Sequence, residues 1–163
     1  MSAWDAVCTV LTPSQTKCVT SDIMSRNPIL KHHHIAVVYS CKTGNVLANG
    51  TNRVTSKGSV HAEVDALTHL HARLRDRVCA PCEFSKGVNI ISLRVSPGGE
   101  LRLAKPCVAC ANALKRCTLI KRVEWSDQCG QVISERLQQF LPTHHCASSL
   151  YNVNRFYESI PSK

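Results

Sequence analysis

The residues best equipped for chemistry stand in two short runs, Val60-His61-Ala62-Glu63-Val64 and Pro106-Cys107-Val108-Ala109-Cys110. His61 offers an imidazole nitrogen to a metal, and Cys107 and Cys110 offer two thiolates. Three protein ligands is the count of a catalytic zinc, which keeps its fourth position for water. Bound zinc lowers the pKa of that water to about 7, so hydroxide is available at neutral pH. Glu63, two residues from the histidine, is placed to reach the water without binding the metal, and it is the acidic residue of these runs able to shuttle a proton. Taken singly, CxxC reads as a structural zinc half-site or a redox pair, and HxE as a plain helix start. Both together, in this order and with proline directly before the first cysteine, favour the catalytic metal site.

Two helices must present these side chains. Val60, Val64, Leu67, Leu70, Leu74 and Val78 recur at helical intervals, which predicts an amphipathic helix over 60–77 with His61 and Glu63 in its first turn. Ser59 is a candidate cap for it. Pro106 suits the first position of a second helix running to about Cys117, with Cys107 and Cys110 on one face of its first turn. A helix N-terminus carries partial positive charge, which favours thiolates.

The rest reads as strands and turns. Ile35–Tyr39 is a strand, Lys42–Asn45 a turn, and Val46–Ala48 the start of the return strand. Residues 54–59 read as a polar loop in which Lys57 is a candidate phosphate contact or a plain exposed lysine. Residues 78–87 read as a linker. Val88–Val95 is a central strand, followed by a turn at 96–99 and a return over 100–104. Val123–Trp125 is the next strand, Gln131–Ile133 the last, and Glu135–Leu141 a helix stopped by Pro142. Ser14–Ile23 reads as a short helix and Asn27-Pro28 as a turn. This order predicts an α/β class with a mixed sheet and helices on both faces.

Composition sets the frame. The chain has 163 residues, enough for one domain with a full core. Residues 1–27 read as an N-terminal segment, 28–141 as the domain that holds the zinc motif, and 142–163 as a tail. There is no run of about 18 apolar residues, so no membrane span is expected. Met1-Ser2-Ala3-Trp4-Asp5 lacks the regions of a signal peptide, which points to an intracellular protein, cytoplasmic or nuclear. Its ten cysteines then read as thiols and metal ligands. Cys79 and Cys82 have zinc spacing, and His69, His71, His144, His145 and Cys146 are donors for a second zinc, but nothing in the sequence pairs them. The net charge of +9 implies attraction to phosphates. Basic residues cluster at Arg73, Arg75 and Arg77, at Lys115-Arg116 and at Lys121-Arg122, though each cluster alone reads as solvated surface. The eight aromatics are few for stacking the bases of a single strand. Leu150, Tyr151, Phe156 and Tyr157 make the tail apolar enough to seek cover, which predicts a homo-oligomer. Of His32-His33-His34, strand alternation sends neighbours to opposite faces, and at least two read as surface or packing residues.

The order H-x-E then P-C-x-x-C is similar to the signature of zinc-dependent deaminases of bases and nucleosides. The run Lys31-His32-His33-His34-Ile35-Ala36-Val37-Val38, then Gly50-Thr51-Asn52-Arg53, then His61-Ala62-Glu63, resembles the deoxycytidylate and tRNA-type branch of the cytidine deaminase superfamily, over roughly residues 28–141. The resemblance implies a three-layer α-β-α sandwich on a mixed five-stranded sheet. It implies Zn2+ on His61, Cys107 and Cys110, with Glu63 as proton shuttle in the hydrolytic conversion of cytosine to uracil with release of ammonia. It implies that Asn52 contacts the substrate sugar, the alternative being a turn Asn holding its own backbone. Ala62 is a second candidate substrate contact, and Trp125 a candidate stacking partner, with core packing as its alternative. Two features depart from the pattern. The gap from Glu63 to Cys107 is long, and the short turn at 127–130 predicts an antiparallel hairpin, as in free-cytidine deaminases.

Three functions fit. The first is deamination of a free cytosine nucleoside or nucleotide. The second is deamination of cytosine or adenine in single-stranded DNA or RNA. The third is a non-catalytic binding protein of the same fold, against which an intact Glu63 counts.

Overall fold

The computed structural model describes residues 33–56, 58–76, 80–97 and 100–146. The helix over Ser14–Ile23, the turn at Asn27-Pro28, Lys57, Cys79 and the aromatic tail from Leu150 lie outside the described residues. Two strands open the described chain, β1 (His33–Ser40) and β2 (Val46–Thr51), antiparallel and joined through a turn that holds Gly44 at φ 74°. That turn is tied down by Glu83, whose carboxylate accepts from the Thr43 hydroxyl and, at 3.0 Å, from the Asn45 amide.

The expected polar loop over 54–59 is instead a small antiparallel pair, β3 (Arg53–Thr55) and β4 (Gly58–Val60), with Arg53 opposite Val60. It runs into helix α1 (Ala62–Arg75), which starts two residues later than the apolar spacing predicts. Pairing of Val60 with Arg53 keeps that valine in a strand, so periodicity overreached at this end. A 3-10 turn at Pro81–Phe84 leads to β5 (Val88–Val95), then to the short β6 (Leu101–Arg102), helix α2 (Val108–Arg116), β7 (Ile120–Ser126) and β8 (Val132–Arg136).

The fold is α/β, with a mixed sheet in the order β2-β1-β5-β7-β8 and β6 beside the end of β5. Only the β5–β7 pairing is parallel, and the β7–β8 hairpin is antiparallel, as the short turn predicts. β5 carries buried apolar residues on both faces. On one face Ala36, Val38 and Ile90 pack with Leu67 and Leu70 of α1 and with Ala111 and Leu114 of α2. On the other, Ile35, Val37, Ile91, Leu93 and Val95 form a second apolar cluster. Both described helices therefore lie on the same face of the sheet.

The predicted helix over Glu135–Leu141 is a correction. Residues 132–136 pair along β7 from Ser126 to Arg122, and the chain then turns rather than coils. The turn closes through the Phe140 N–H on the Arg136 carbonyl at 3.1 Å, which drops Leu137 and Phe140 into the core. Strand pairing and burial of two large side chains outweigh the modest helical preference of so short a segment.

Candidate active site

The site is built where the starts of α1 and α2 meet beside β1 and β5. Gly50 sets the first contact. A Cβ there would lie 2.2 Å from the Ala66 nitrogen and 2.3 Å from the Ala62 carbonyl, so β2 meets α1 backbone to backbone. Asp65, fully buried in α1, reaches back to accept the Thr51 N–H at 3.1 Å and pairs with the Arg53 guanidinium. Those contacts fix the segment between them. The Asn52 Oδ1 accepts the Ala62 N–H at 3.0 Å and so satisfies a donor at the open end of α1. Ser59, the expected cap, does not take that place.

His61 consequently stands at the N-cap, extended at φ −77° and ψ 151°, rather than in the first turn. Cys107 occupies the same position of α2, at φ −72° and ψ 171°, and Pro106 precedes it instead of opening the helix. The His144 carbonyl accepts the Val108 N–H at 3.0 Å, so a residue assigned to the tail helps close the start of α2.

These two N-caps and Cys110 converge. The His61 Nδ1 lies 3.6 Å from the Cys107 Sγ and 3.3 Å from the Cys110 Sγ. All three donor atoms lie within 4.8 Å of one another. Tetrahedral zinc with N and S at the usual bond lengths sets such donors about 3.6 Å apart. The donor set and its spacing therefore suit zinc with one position left over. Among the described residues no second group of donors assembles around Cys82, His69, His71, His144, His145 or Cys146. His69 Nδ1 is instead 2.6 Å from the Asn49 carbonyl.

The protonation of the cluster follows from its crowding. The hydrogen bond from Cys110, followed by that with His61, holds the Cys107 thiol well below its ordinary range. The same bond to Cys107, reinforced by burial, pushes Cys110 well up. A cation bound there would take both sulfurs as thiolates. His61 is raised, first by its hydrogen bond with Cys107.

Glu63 is 1% exposed and its two oxygens meet different partners. Oε1 accepts from the Ser92 hydroxyl at 3.2 Å. Oε2 lies 3.6 Å from the Cys110 Sγ, on the side of the donor cluster. Behind Ser92 stands His34, its Nε2 2.8 Å from Ser92 Oγ and 3.7 Å from Glu63 Oε1. Burial, the leading effect, lowers the His34 pKa, although the nearby Glu63 carboxylate acts in the other direction. A neutral His34 donating from Nε2 leaves the Ser92 proton for Glu63, giving a chain His34–Ser92–Glu63. One oxygen of the carboxylate is thereby held by Ser92 and the other faces the donor cluster.

A cavity of about 440 Å³ opens over the cluster. His61, Glu63, Cys107 and Asn52 line it, with His34, Arg94 and Lys105. Thr143, His144 and Cys146 line it too, so the chain past residue 142 takes part in the site. Trp125 does not line it. The indole is 4% exposed and packs edge-on against Phe140 at 5.2 Å, as its core-packing alternative held. Ala62 is fully buried and meets the site through its N–H bond to Asn52.

The functional residues that motif spacing missed are Ser92, Arg94, Lys105, Asp65 and His34, the last having been read only as one of three adjacent histidines. Ser92 had a signal, a small polar residue inside the apolar run Ile90-Ile91-Ser92-Leu93. His34 had none, because only the phase of β1 shows which of the three faces the helices.

No family profile matches the chain, and no curated protein matches it. Among solved structures it is similar to the crystal structure of cytidine deaminase from Burkholderia pseudomallei, at 20% sequence identity and a TM-score of 0.47, over 77% of this chain and 92% of that one.

Proposed function

We propose that the protein is a zinc-dependent hydrolytic deaminase that converts cytosine in a nucleoside or nucleotide to uracil and ammonia. One observation carries the reading. An imidazole and two thiols converge within 4.8 Å, and a buried carboxylate that is not one of them stands 3.6 Å from the nearer thiol. A structural zinc site needs four closed ligands and has no use for such a carboxylate.

His61, Cys107 and Cys110 would hold the metal, whose part is to make water acidic enough to attack at neutral pH. Glu63 Oε2 takes a proton from the attacking water and delivers it to the ring nitrogen of the cytosine. The same oxygen then helps the amine leave as ammonia. Ser92 and His34 hold the carboxylate so that Oε2 stays on the reacting side. Asn52 lines the cavity and is suited to a sugar hydroxyl, although its Oδ1 also serves α1. Among the described residues no Phe, Tyr or Trp lines the cavity.

The test is incubation of the zinc-loaded protein with cytidine, deoxycytidine and their monophosphates, following uracil formation by absorbance and ammonia by a coupled assay. Uracil formation with stoichiometric ammonia is the expected result. A folded, zinc-replete protein that turns over none of them would leave the second and third readings, a deaminase of single strands and a binding protein of this fold.

A further inference from the structure

The cavity mouth carries positive charge that the deamination chemistry does not use. Arg94 follows Ser92 by two along β5, so it shares the face of the sheet that carries the site. In register with it stand His34 on β1 and Arg102 on β6. Two guanidinium groups directly opposite each other cost stability unless charge compensates. Arg102 is compensated by its ion pair with Glu100, whereas Arg94 has no ion pair among the described residues. Lys105 repeats the theme. Its Nζ rests 5.3 Å from the Trp125 ring centroid and 5.5 Å from that of Phe140, and it too has no carboxylate partner among the described residues. The rings hold the ammonium in place without neutralising it. Both cations line the same cavity as His61, Glu63 and Cys107. The two rings hold Lys105 there before any ligand arrives, which lowers the cost of binding one.

We propose that Arg94 and Lys105 form a phosphate subsite, so that the substrate is a cytosine nucleoside carrying its own phosphate, a free nucleotide; this rests on the deaminase reading above. Arg94 supplies a planar fork of donors for phosphate oxygens and Lys105 a point charge. A single strand fits less well. A bound strand needs rings on which neighbouring bases stack. Among the described residues, Trp125 and Phe140 beneath Lys105 are buried and do not line the cavity.

The test compares kcat/KM of the zinc-loaded full chain at low ionic strength on cytidine, deoxycytidine, their 5′-monophosphates and a cytosine-containing single-stranded oligonucleotide. The monophosphates are expected to be favoured over the nucleosides by at least about tenfold, the worth of one charge-assisted hydrogen bond. Arg94→Gln and Lys105→Met are each expected to reduce that preference by about tenfold. Parity between nucleoside and monophosphate, a preference that survives both substitutions, or an oligonucleotide favoured over both would overturn the subsite. Calorimetric binding of the monophosphate and the nucleoside to the same proteins keeps the two readings apart. Monophosphate bound about tenfold more tightly, and no longer so in Arg94→Gln, upholds the subsite even if nothing is deaminated. Cytidine deaminated with no such difference sinks the subsite and leaves the deaminase.

Discussion

Glu63→Gln separates a catalytic carboxylate from a structural one. The amide matches the carboxylate in size, so no cavity opens at this buried position. Its oxygen can still accept from Ser92, which stands 3.2 Å from Oε1 in the native chain. Its nitrogen then replaces Oε2 beside Cys110. The structural cost is the difference between a charge-assisted and a neutral hydrogen bond, about 1 kcal/mol, and removal of a buried charge offsets part of it. For a chain of this length that moves Tm by roughly 2–4 °C at most. The catalytic cost is of another order. The amide cannot take a proton, and loss of a general acid–base lowers rates ~100- to 10,000-fold, about 3–5 kcal/mol of barrier. Zinc content should stay near one per chain, because Glu63 is not among the three donors that converge. The assay is ammonia release on the most active cytosine substrate, with zinc by atomic spectroscopy and Tm on the same preparation. Residual activity above about a tenth, with zinc and Tm unchanged, would show that Glu63 is not the shuttle, since that lies outside the range for a lost general base.

Three further outcomes follow from the geometry. His61→Ala, Cys107→Ser and Cys110→Ser should each lose most of the bound zinc and the activity with it; a variant that retains stoichiometric zinc would remove that residue from the ligand set. Ser92→Ala should lower kcat while KM changes little, because it frees the carboxylate without touching the ligand, and Ser92→Thr should recover part of the loss; a KM effect with kcat intact would argue against the positioning role. Gly50→Ala should be strongly destabilising, beyond the ~1–3 kcal/mol of ordinary overpacking, because the methyl would meet the Ala66 nitrogen at 2.2 Å in rigid backbone. A thermal melt showing wild-type stability would mean that β2 and α1 part more easily than their contact implies.

The candidate chemistry of the centre was legible in the sequence by itself. Candidate metal ligands declare themselves by residue type and short spacing, and His61 with Glu63, and Cys107 with Cys110, lie in runs short enough for local geometry to keep each pair together. The same holds for the strands of the sheet, where β-branched runs such as Val88-Asn89-Ile90-Ile91 are bounded by turns, and for the antiparallel β7–β8 hairpin, set by a turn too short for a crossover. The sequence did not determine where those runs begin to coil. His61 and Cys107 are N-caps because Asn52 and His144, brought by other segments, take up the first helical N–H groups. Glu135–Leu141 carries an acceptable helical pattern, yet the edge of β7 recruits its first residues. Only the tertiary structure decided the surroundings of the Glu63 carboxylate. Ser92 and His34 stand 29 and 58 residues from their partners Glu63 and Ser92 in the chain. Their phase on β5 and β1, rather than any motif, turns them toward the helices. Arg94 and Lys105 are two basic residues among twenty in the sequence. Strand register and a buried pair of rings give them a shared cavity, and register is a property of the assembled sheet, since a slip of one residue would send Arg94 to the opposite face.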